Sequence, residues 1–255
     1  MKFSIITPSY NQGAFIERTL NSILSQEGDF DLELRVMDAG SSDGTLAVLR
    51  HYEGDTRLRW TSGPDQGQSD AINRGFEETD GDVIAWLNSD DMYEPGALQT
   101  VAEAYNAKPF DWCFGNCRNI DEHDHEVRRV IMRYKREQSL RYSYARLLRR
   151  DFVSQPATFF TRKAYQQIGD VDRALYYSMD YDYWLRLGRA SQPTFIDRTL
   201  ASFRWHSQSK NGALYRRAAW ETYQTARRHA QPAERIDLLY HFAHVMILSV
   251  LYPFL

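Results

Sequence analysis

Two adjacent carboxylates that follow a short apolar run are the strongest candidate for chemistry in this chain. Asp90 and Asp91 come directly after Asn88 and Ser89, and the preceding run 83–87 (VIAWL) predicts a buried β-strand. Neighbouring carboxylates repel each other unless a cation or strong donors lie between them, so the pair indicates a hard divalent cation with oxygen ligands. A solvated turn whose aspartates cap the next helix explains the same residues.

The composition is that of a soluble globular protein with one large core. The 255 residues are 43% hydrophobic and 25% charged, which excludes disordered, collagen-like and disulfide-scaffold classes, and the net charge of −3 argues against a nucleic-acid partner. The charge is uneven: residues 65–94 hold nine acidic side chains against Arg74 alone, and 128–150 hold nine basic ones against Glu137 alone. The first segment suits a cation and the second an anion.

Cysteine and histidine do not indicate a zinc site. Cys113 and Cys117 lack the partner pair that zinc requires, so we expect free, buried thiols. His123 and His125 lie in a short charged segment that predicts a solvated hairpin turn. Because a strand-like run follows Lys2 at once, we expect no signal peptide and a cytoplasmic protein.

The first half of the chain alternates strand-like runs with helical patterns, which predicts βαβ units, a parallel sheet and the α/β class. The predicted strands are 3–7, 34–38, 58–61 and 83–87, and the predicted helices are near 15–26, 45–52 and 69–78. Ligands bind beyond the carboxyl ends of such strands. Small, polar loops follow all four strands, so we expect them to converge on one edge of the sheet.

The second half is less regular and has no repeats or linkers. We predict strands at 112–116, 127–132, 159–160, 194–196 and 200–204, and helices at 139–149, 163–168, 180–189 and from 212 onwards. These patterns give one domain, 1–211, with halves 1–107 and 108–211, followed by a helical extension, 212–255.

The loop 38–45 has the composition of a tight turn whose amides face a nucleotide. It carries Gly40, Gly44 and several hydroxyl groups, but no Gly-Lys-Ser or Gly-Lys-Thr of a P-loop. Tyr10, in the loop before it, could stack on a base. A capped turn that leads into a helix is an equally good explanation of this loop.

Several motifs, in order, resemble family two glycosyltransferases of the GT-A fold. They are ITPSYN at 6–11, DAGSSDGT at 38–45, 67–75, NSDD at 88–91, SMDYDYWLRL at 178–187 and FRWH at 203–206. The resemblance implies a mostly parallel central sheet flanked by helices and inverting transfer of a sugar from a nucleotide diphosphate to a hydroxyl group. The Gln-x-x-Arg-Trp signature of processive synthases is absent, so transfer of one sugar is expected.

The resemblance also implies roles for individual residues. Asp180 matches the general base, Asp91 is expected to ligate Mn²⁺ or Mg²⁺ directly with Asp90 beside it, and His206 could reach the metal. The expected donor contacts are Pro8, Ser9, Tyr10, Asn11, Asp38, Gly40, Ser41, Asp65, Gln68, Asp70, Asn73, Asn88, Ser89, Asp90 and Arg204. The expected acceptor contacts are Gln155, Trp184 and Asp182. The sequence departs from the family pattern at Asn88, Met179 and Ile72.

Structural roles explain some of these residues as well. Asp180 could cap the helix that it begins, Trp184 could be a core residue, and Arg204 and His206 could lie on a solvated strand. In that helix Asp180 and Asp182 cannot point the same way, so one of them turns inward.

Two segments predict a surface contact. A basic, amphipathic helix at 141–150 suits an anionic membrane, and the apolar tail 242–255 is too short to span a bilayer. The tail could anchor the protein peripherally on the inner membrane, form a homo-oligomer, or be a final core helix.

We expect a UDP-sugar rather than a GDP- or dTDP-sugar as donor, and a glycan or lipid-linked glycan of surface polysaccharide synthesis, such as lipopolysaccharide, as acceptor. Two alternatives are a sugar-1-phosphate nucleotidyltransferase and a degenerate nucleotide-sugar binding module. The first would need a Gly-rich basic loop after the first strand, where residues 8–11 read PSYN.

Overall fold

A computed structural model describes residues 1–206 and 215–251. The strands are β1 (Lys2–Ser9), β2 (Asp31–Asp38), β3 (Leu58–Ser62), β4 (Val83–Trp86), β5 (Met92–Tyr93), β6 (Trp112–Ile120), β7 (Glu126–Val127), β8 (Thr158–Thr161) and β9 (Thr194–Arg204). The helices are α1 (Ile16–Leu24), α2 (Thr45–His51), α3 (Gln68–Glu77), α4 (Ala97–Ala107), α5 (Arg129–Leu140), α6 (Tyr144–Arg149), α7 (Arg162–Ile168), α8 (Met179–Ala190), α9 (Tyr215–His229) and α10 (Arg235–Leu251), and short 3₁₀ turns lie at Gln155–Ala157 and Pro232–Glu234.

One sheet joins both halves of the chain in the order β3-β2-β1-β4-β8-β6-β9-β5, with β7 on β6. The strands from β3 to β4 are parallel, as predicted, whereas β8 and β5 run antiparallel to their neighbours. The α/β class is therefore confirmed, with a mixed second half. The strand order reverses between β1 and β4, and such a switch point is where open α/β sheets bind ligands.

Apolar side chains are buried on both faces of the sheet. In β4, Val83 and Ala85 belong to one core cluster, and Ile84 and Trp86 belong to the other. Successive strand residues point to opposite faces, so a strand covered on both sides must be apolar throughout. This burial explains why the run before the Asp pair is continuous rather than alternating.

The segment after the β6–β7 turn differs from the prediction. The turn itself is confirmed, since the Asp121 amide donates a 2.9 Å hydrogen bond to the His125 carbonyl across it. The predicted strand 127–132 is wrong, because α5 begins at Arg129 after Arg128 takes a left-handed φ of 56°. In this case the β-branched residues at 127, 130 and 131 did not decide the local structure.

The predicted basic helix 139–149 is two helices. It breaks after α5, and the Ser143 hydroxyl accepts a hydrogen bond from the Arg146 amide to cap α6. The two strands predicted at 194–196 and 200–204 are one strand, β9, with irregular pairing to β6 at Gly115 and Asn116. Helix α4 was not among the predicted elements.

The predicted helical extension forms α9 and α10. The proposed boundary at 211/212 and the last four residues of the apolar tail lie outside the described residues. Within the described ranges, no helix is both long and apolar enough to cross a membrane. Cys113 and Cys117 are free and buried, as predicted.

Candidate active site

The carboxyl ends of the first three strands place three polar side chains in one row. Ser9 is in register with Asp38, and Asp38 with Ser62. The buried Asp38 carboxylate accepts hydrogen bonds from the amides of Gly40 (3.0 Å) and Ser41 (2.9 Å) and from the Ser62 hydroxyl (2.6 Å). Gly40 has the left-handed φ of 81° that this turn requires. The oxygens of Asp38 are thus engaged inside the protein, and the predicted direct contact with a nucleotide does not fit.

Reciprocal hydrogen bonds join the loops that follow β1 and β2. The Asn11 amide donates to Ser41 Oγ at 2.8 Å, and the Ser42 amide donates to Asn11 Oδ1 at 2.9 Å. Pro8 is buried beneath this junction, whereas Tyr10 is 60% exposed. The arrangement leaves the Tyr10 ring available to stack on a base, as predicted for it.

The two carboxylates after β4 have different environments. Asp91 has no exposed surface, and its two oxygens accept hydrogen bonds from the Arg204 amide (2.9 Å) and Asn88 Nδ2 (3.2 Å). Burial, and then the charge of Asp90, raise the pKa of Asp91 well above its ordinary value. Asp90 is partly exposed, and its Oδ2 lies 3.0 Å from His206 Nε2. Both Asp91 oxygens are thus engaged inside the protein, so the predicted role as direct metal ligand does not fit this geometry, and Asp90 is the more exposed of the two carboxylates.

Asp90 and His206 could hold a Mn²⁺ or Mg²⁺ ion. One carboxylate and one imidazole are acceptable ligands for Mn²⁺, and both ions complete their coordination shells with waters and substrate phosphates. Among residues 1–206 and 215–251, no group of three or more His, Cys, Asp or Glu side chains forms a metal site. The residues present therefore fit an ion that the donor phosphates help to hold, and do not fit a closed structural site.

Arg204 is a structural residue, contrary to the predicted contact with the donor. It is 0% exposed, its Nε donates to the Asp90 carbonyl at 2.8 Å, and its Nη1 donates to the Asp121 carbonyl at 2.8 Å. The same guanidinium group forms an ion pair with Asp124 of the β6–β7 turn. Arg204 therefore links the Asp90 backbone to that turn and has no exposed surface for a diphosphate.

A chain of amides leads from α3 to the backbone of β4. Gln68 Nε2 donates to Asn88 Oδ1 at 2.7 Å, Asn88 Nδ2 donates to Gln155 Oε1 at 3.2 Å, and Gln155 Nε2 donates to the Trp86 carbonyl at 2.6 Å. Ser89 is buried beside them. The structure thus brings the predicted donor residues Gln68 and Asn88 together with the predicted acceptor residue Gln155.

The segment at the start of α3 holds two predicted donor residues, one of which pairs with a distant basic residue that was not predicted. Asp65 accepts the Gly67 amide at 2.8 Å, and Asp70 forms an ion pair with Arg173, whose Nε lies 3.1 Å from Asp70 Oδ1. Nothing in the local sequence signals this pairing of residues 103 positions apart. The prediction that Asn73 contacts the donor does not fit the structure. Asn73 is 0% exposed, and its amide group forms two 2.9 Å hydrogen bonds with the Val171 backbone.

Helix α8 brings Asp180 to the same edge. Met179, which stands where many family members carry glutamate, lies next to α3, since Ser69 Oγ is 3.0 Å from Met179 Sδ. Asp180 follows it, is partly exposed, and accepts the Tyr181 amide at 2.8 Å. Because Ser69 adjoins Gln68 of the amide chain, the Met179 contact brings the first turn of α8 next to the start of that chain.

A second carboxylate, which the sequence analysis did not single out, lies near Asp180. Asp151 follows α6, and the Tyr181 hydroxyl fastens α8 to the end of α6 by a 2.7 Å hydrogen bond to the Leu147 carbonyl. Asp151 Oδ1 is shielded from solvent and has no hydrogen-bond partner in the described part of the chain. Burial, then the charge of Asp180, raise the pKa of Asp151 to about 7, against an opposing effect of Lys135.

Asp182 and Trp184 do not fit the predicted acceptor contacts. Asp182 is 5% exposed and bonded to Arg186 (2.9 Å) and His229 (2.7 Å). Burial alone would raise its pKa, but the hydrogen bond from His229 and the charge of Arg186 lower it. Trp184 is 0% exposed, with its ring stacked on Trp86 at a centroid distance of 5.3 Å. Of the two aspartates of α8, Asp182 is therefore the one that turns inward.

The sequence model described as "Glycosyl transferase family 2" matches residues 4–169, which include the loops after β1 to β4. The chain belongs to this family. The matched region ends before α8, so the family match covers the donor half and leaves the helix that carries Asp180 to the structure.

The chain is also similar to curated proteins, one of which is named a glucosyltransferase. An uncharacterised protein of Mycobacterium tuberculosis is 30% identical over 212 residues, which cover 78% of this chain and 65% of that protein. The GalNAc(5)-diNAcBac-PP-undecaprenol beta-1,3-glucosyltransferase of Campylobacter jejuni is 33% identical over 120 residues, 46% of this chain and 38% of its own. The chain thus spans about two thirds or less of the length of these relatives.

Solved structures show that this family 2 member has the GT-A fold. S. aureus TarS 1–349 in complex with UDP-GlcNAc superposes with a TM-score of 0.71 at 17% identity, covering 95% of this chain and 73% of that one. The mannosyltransferase PcManGT of Pyrobaculum calidifontis, in complex with GDP-Man and Mn²⁺, gives 0.70 at 16% identity, with coverages of 95% and 69%.

Proposed function

We propose that this chain transfers one sugar from a nucleotide-diphosphate sugar to an acceptor hydroxyl, with inversion at the anomeric carbon and Asp180 as general base. The observation that carries the proposal is the contact of Met179 with Ser69. This contact brings the first turn of α8 to the amide chain that begins at Gln68 and reaches Asn88. In this proposal, the carboxylate that follows Met179 acts across the site from Asp90.

The reaction requires a base, because an acceptor hydroxyl is far too weak an acid to ionise at neutral pH. Asp180 takes the hydroxyl proton while the acceptor oxygen forms its bond to the anomeric carbon. The bond from that carbon to the diphosphate oxygen breaks on the opposite face, which inverts the configuration. The nucleoside diphosphate leaves with the electron pair of the broken bond.

On the donor side, Asp90 and His206 would hold the divalent cation, and Tyr10 would stack on the base. When bound, the cation stabilises the negative charge that develops on the diphosphate. A UDP-sugar is our first choice of donor, supported by the likeness to TarS bound to UDP-GlcNAc. The likeness to PcManGT with GDP-Man and Mn²⁺ supports cation use and keeps GDP-sugars among the donors to test.

A thermal-shift screen with UDP, GDP, dTDP and their sugars, each with Mn²⁺ or Mg²⁺, identifies the nucleotide, because ligand binding raises apparent stability by mass action. Donor binding without turnover for any acceptor would favour a binding module instead.

The base is tested by Asp180→Asn. We expect kcat to fall by about 10²- to 10⁴-fold, with an unchanged thermal shift on donor binding, because only proton transfer is removed. Asp172→Asn is the control, since Asp172 pairs with Arg228 outside the site. Full transfer activity in Asp180→Asn would refute the assignment.

We further propose a lipid-linked glycan acceptor at the inner face of the membrane. The similarity to a glucosyltransferase whose name includes a PP-undecaprenol acceptor supports the acceptor class. Helix α10 supports the location, because large apolar side chains are exposed at helical spacing along it, namely Ile236, Leu239, Tyr240, Phe242, Met246 and Ile247. Arg149 lies over the Tyr240 ring at 4.9 Å, which adds cationic charge beside the apolar stripe.

Cosedimentation with vesicles tests this surface. The chain should bind vesicles of anionic phosphatidylglycerol more than neutral vesicles, and Leu239→Ser with Met246→Ser should weaken the binding. Tyr10→Ser removes an exposed aromatic elsewhere and should bind normally. Equal binding by all variants would contradict the proposal. If light scattering shows a dimer that the α10 substitutions convert to a monomer, this face of α10 instead contacts a second copy of the chain.

A further inference from the structure

One carboxylate of α9 accepts hydrogen bonds from the backbone amides that lead into α8. Glu221 Oε1 accepts hydrogen bonds from three successive amides, those of Tyr176 (3.0 Å), Tyr177 (2.6 Å) and Ser178 (2.8 Å). The Ser178 hydroxyl lies 3.1 Å from the same oxygen. Successive amides that converge on one oxygen form an anion-binding turn, and the negative charge suits the amino end of a helix.

The contact is part of a polar face of α9 that packs along α8. Residues 221, 225 and 229 are four apart and therefore lie on one side of the helix. Thr225 Oγ1 is 2.8 Å from Ser178 Oγ, and His229 Nε2 is 2.7 Å from Asp182 Oδ1. Thr225 is fully buried, so this side of α9 is packed against α8 rather than solvated.

We propose that Glu221 is a positioning residue for the general base, and that α9 is required for sugar transfer through this contact. The inference rests on the proposed role of Asp180, which lies two residues after Ser178 in the first turn of α8. Without the Glu221 carboxylate, three successive amides lose this acceptor, and the turn that carries Asp180 loses its fixed position. Residue 221 lies outside the 4–169 segment that the family match covers.

The test compares Glu221→Ala with Asp237→Ala. Both substitutions remove an acidic side chain from the C-terminal extension, but Asp237 pairs with Arg149 of α6 and not with α8. We expect Glu221→Ala to lower kcat by about 10- to 100-fold, as for a misplaced catalytic group, and to leave the donor KM within about twofold. Glu221→Gln should recover part of the loss, because its amide oxygen can accept the same hydrogen bonds.

Hydrogen exchange provides a readout that does not depend on turnover. Amides 176–178 should lose protection in Glu221→Ala and keep it in Asp237→Ala. If the two variants differ in protection in this way but the wild-type chain transfers no sugar, the proposed function is refuted and the contact is not. An active wild type with equal kcat in the Glu221→Ala and Asp237→Ala variants would refute the positioning role alone.

Should Glu221→Ala fail to fold, Glu221→Asp decides the question, because it keeps the charge but withdraws the oxygen by one methylene group. A kcat within about twofold of the wild-type value would then overturn the inference, and a larger fall with unchanged donor KM would support it.

Discussion

Replacing Asp151 by asparagine should stabilise the protein, and the gain should grow as the pH rises from about 5 to about 8. Asp151 is shielded at Oδ1, lacks a partner there in the described part of the chain, and is close enough to Asp180 for that charge to oppose its ionisation. Its pKa is consequently raised to about 7 in the folded protein. In the unfolded chain the carboxyl group returns to its ordinary pKa near 3.8.

The magnitude follows from proton linkage. Between these two pKa values the folded state holds the proton and the unfolded state does not, so the free energy of unfolding falls as the pH rises and levels off above about 7. Each pKa unit corresponds to about 1.4 kcal/mol, and about two units separate pH 5 from the folded-state pKa, so the penalty should increase by about 3 kcal/mol between pH 5 and pH 8. An uncharged asparagine has no such penalty, and about 3 kcal/mol corresponds to about 6 to 12 °C in Tm for a chain of this size.

The measurement is the Tm of wild type and Asp151→Asn at both pH values, with denaturant unfolding to obtain free energies. Asp197→Asn is the contrasting control, because the hydrogen bond from Arg136 and that from Asn116 lower the pKa of Asp197. Losing that carboxylate should lower the Tm slightly at both pH values. A Tm difference between wild type and Asp151→Asn that is the same at pH 5 and pH 8 would refute the reasoning.

Three further predictions concern residues with corrected roles. Asp90→Asn should abolish the Mn²⁺-dependent thermal shift with nucleotide and leave the ligand-free Tm almost unchanged. Asp91→Ala should instead lower the free energy of unfolding by about 1 to 3 kcal/mol, because the Arg204 amide loses its acceptor. Equal ligand-free Tm values for the two variants would contradict this. Trp184→Ala should cost about 3 to 5 kcal/mol in denaturant unfolding, as expected for a buried aromatic, and a variant of wild-type stability would show that the ring is not core. Arg204→Met should lower the Tm and leave the metal requirement intact, since its guanidinium group contacts backbone carbonyls; a loss of nucleotide affinity at unchanged Tm would restore a donor role.

Much of the fold was predictable from local patterns. Strands β1 to β4 and the helices between them follow from apolar runs and helical periodicity, and both faces of the central strands β1 and β4 are buried. The prediction was wrong where local preference and tertiary contact disagree. The apolar run after the β6–β7 turn has β-branched residues, yet it forms α5, and Met132 Sδ lies 3.2 Å from the Asn119 amide.

The candidate site was predictable as a set of loops and not as a set of roles. Sequence places Asp90, Asp91 and Arg204 in motifs, but adjacent residues point in different directions, and only packing determines which one reaches solvent. Asp91 and Arg204 are buried against each other and against the β6–β7 turn. Asp90 is therefore the carboxylate of the pair that is accessible to a ligand.

The sequence by itself determined the α/β class, the order of the loops and the family resemblance, because these depend on periodicity and on short motifs that are continuous in the chain. Only the tertiary structure decided that Asp182 is tied to His229, that Asp151 lies near Asp180, and that Glu221 holds the entrance to α8. These contacts join residues 29 to 47 positions apart in the chain. Side-chain pairing over such separations depends on how the helices pack, which no local pattern encodes.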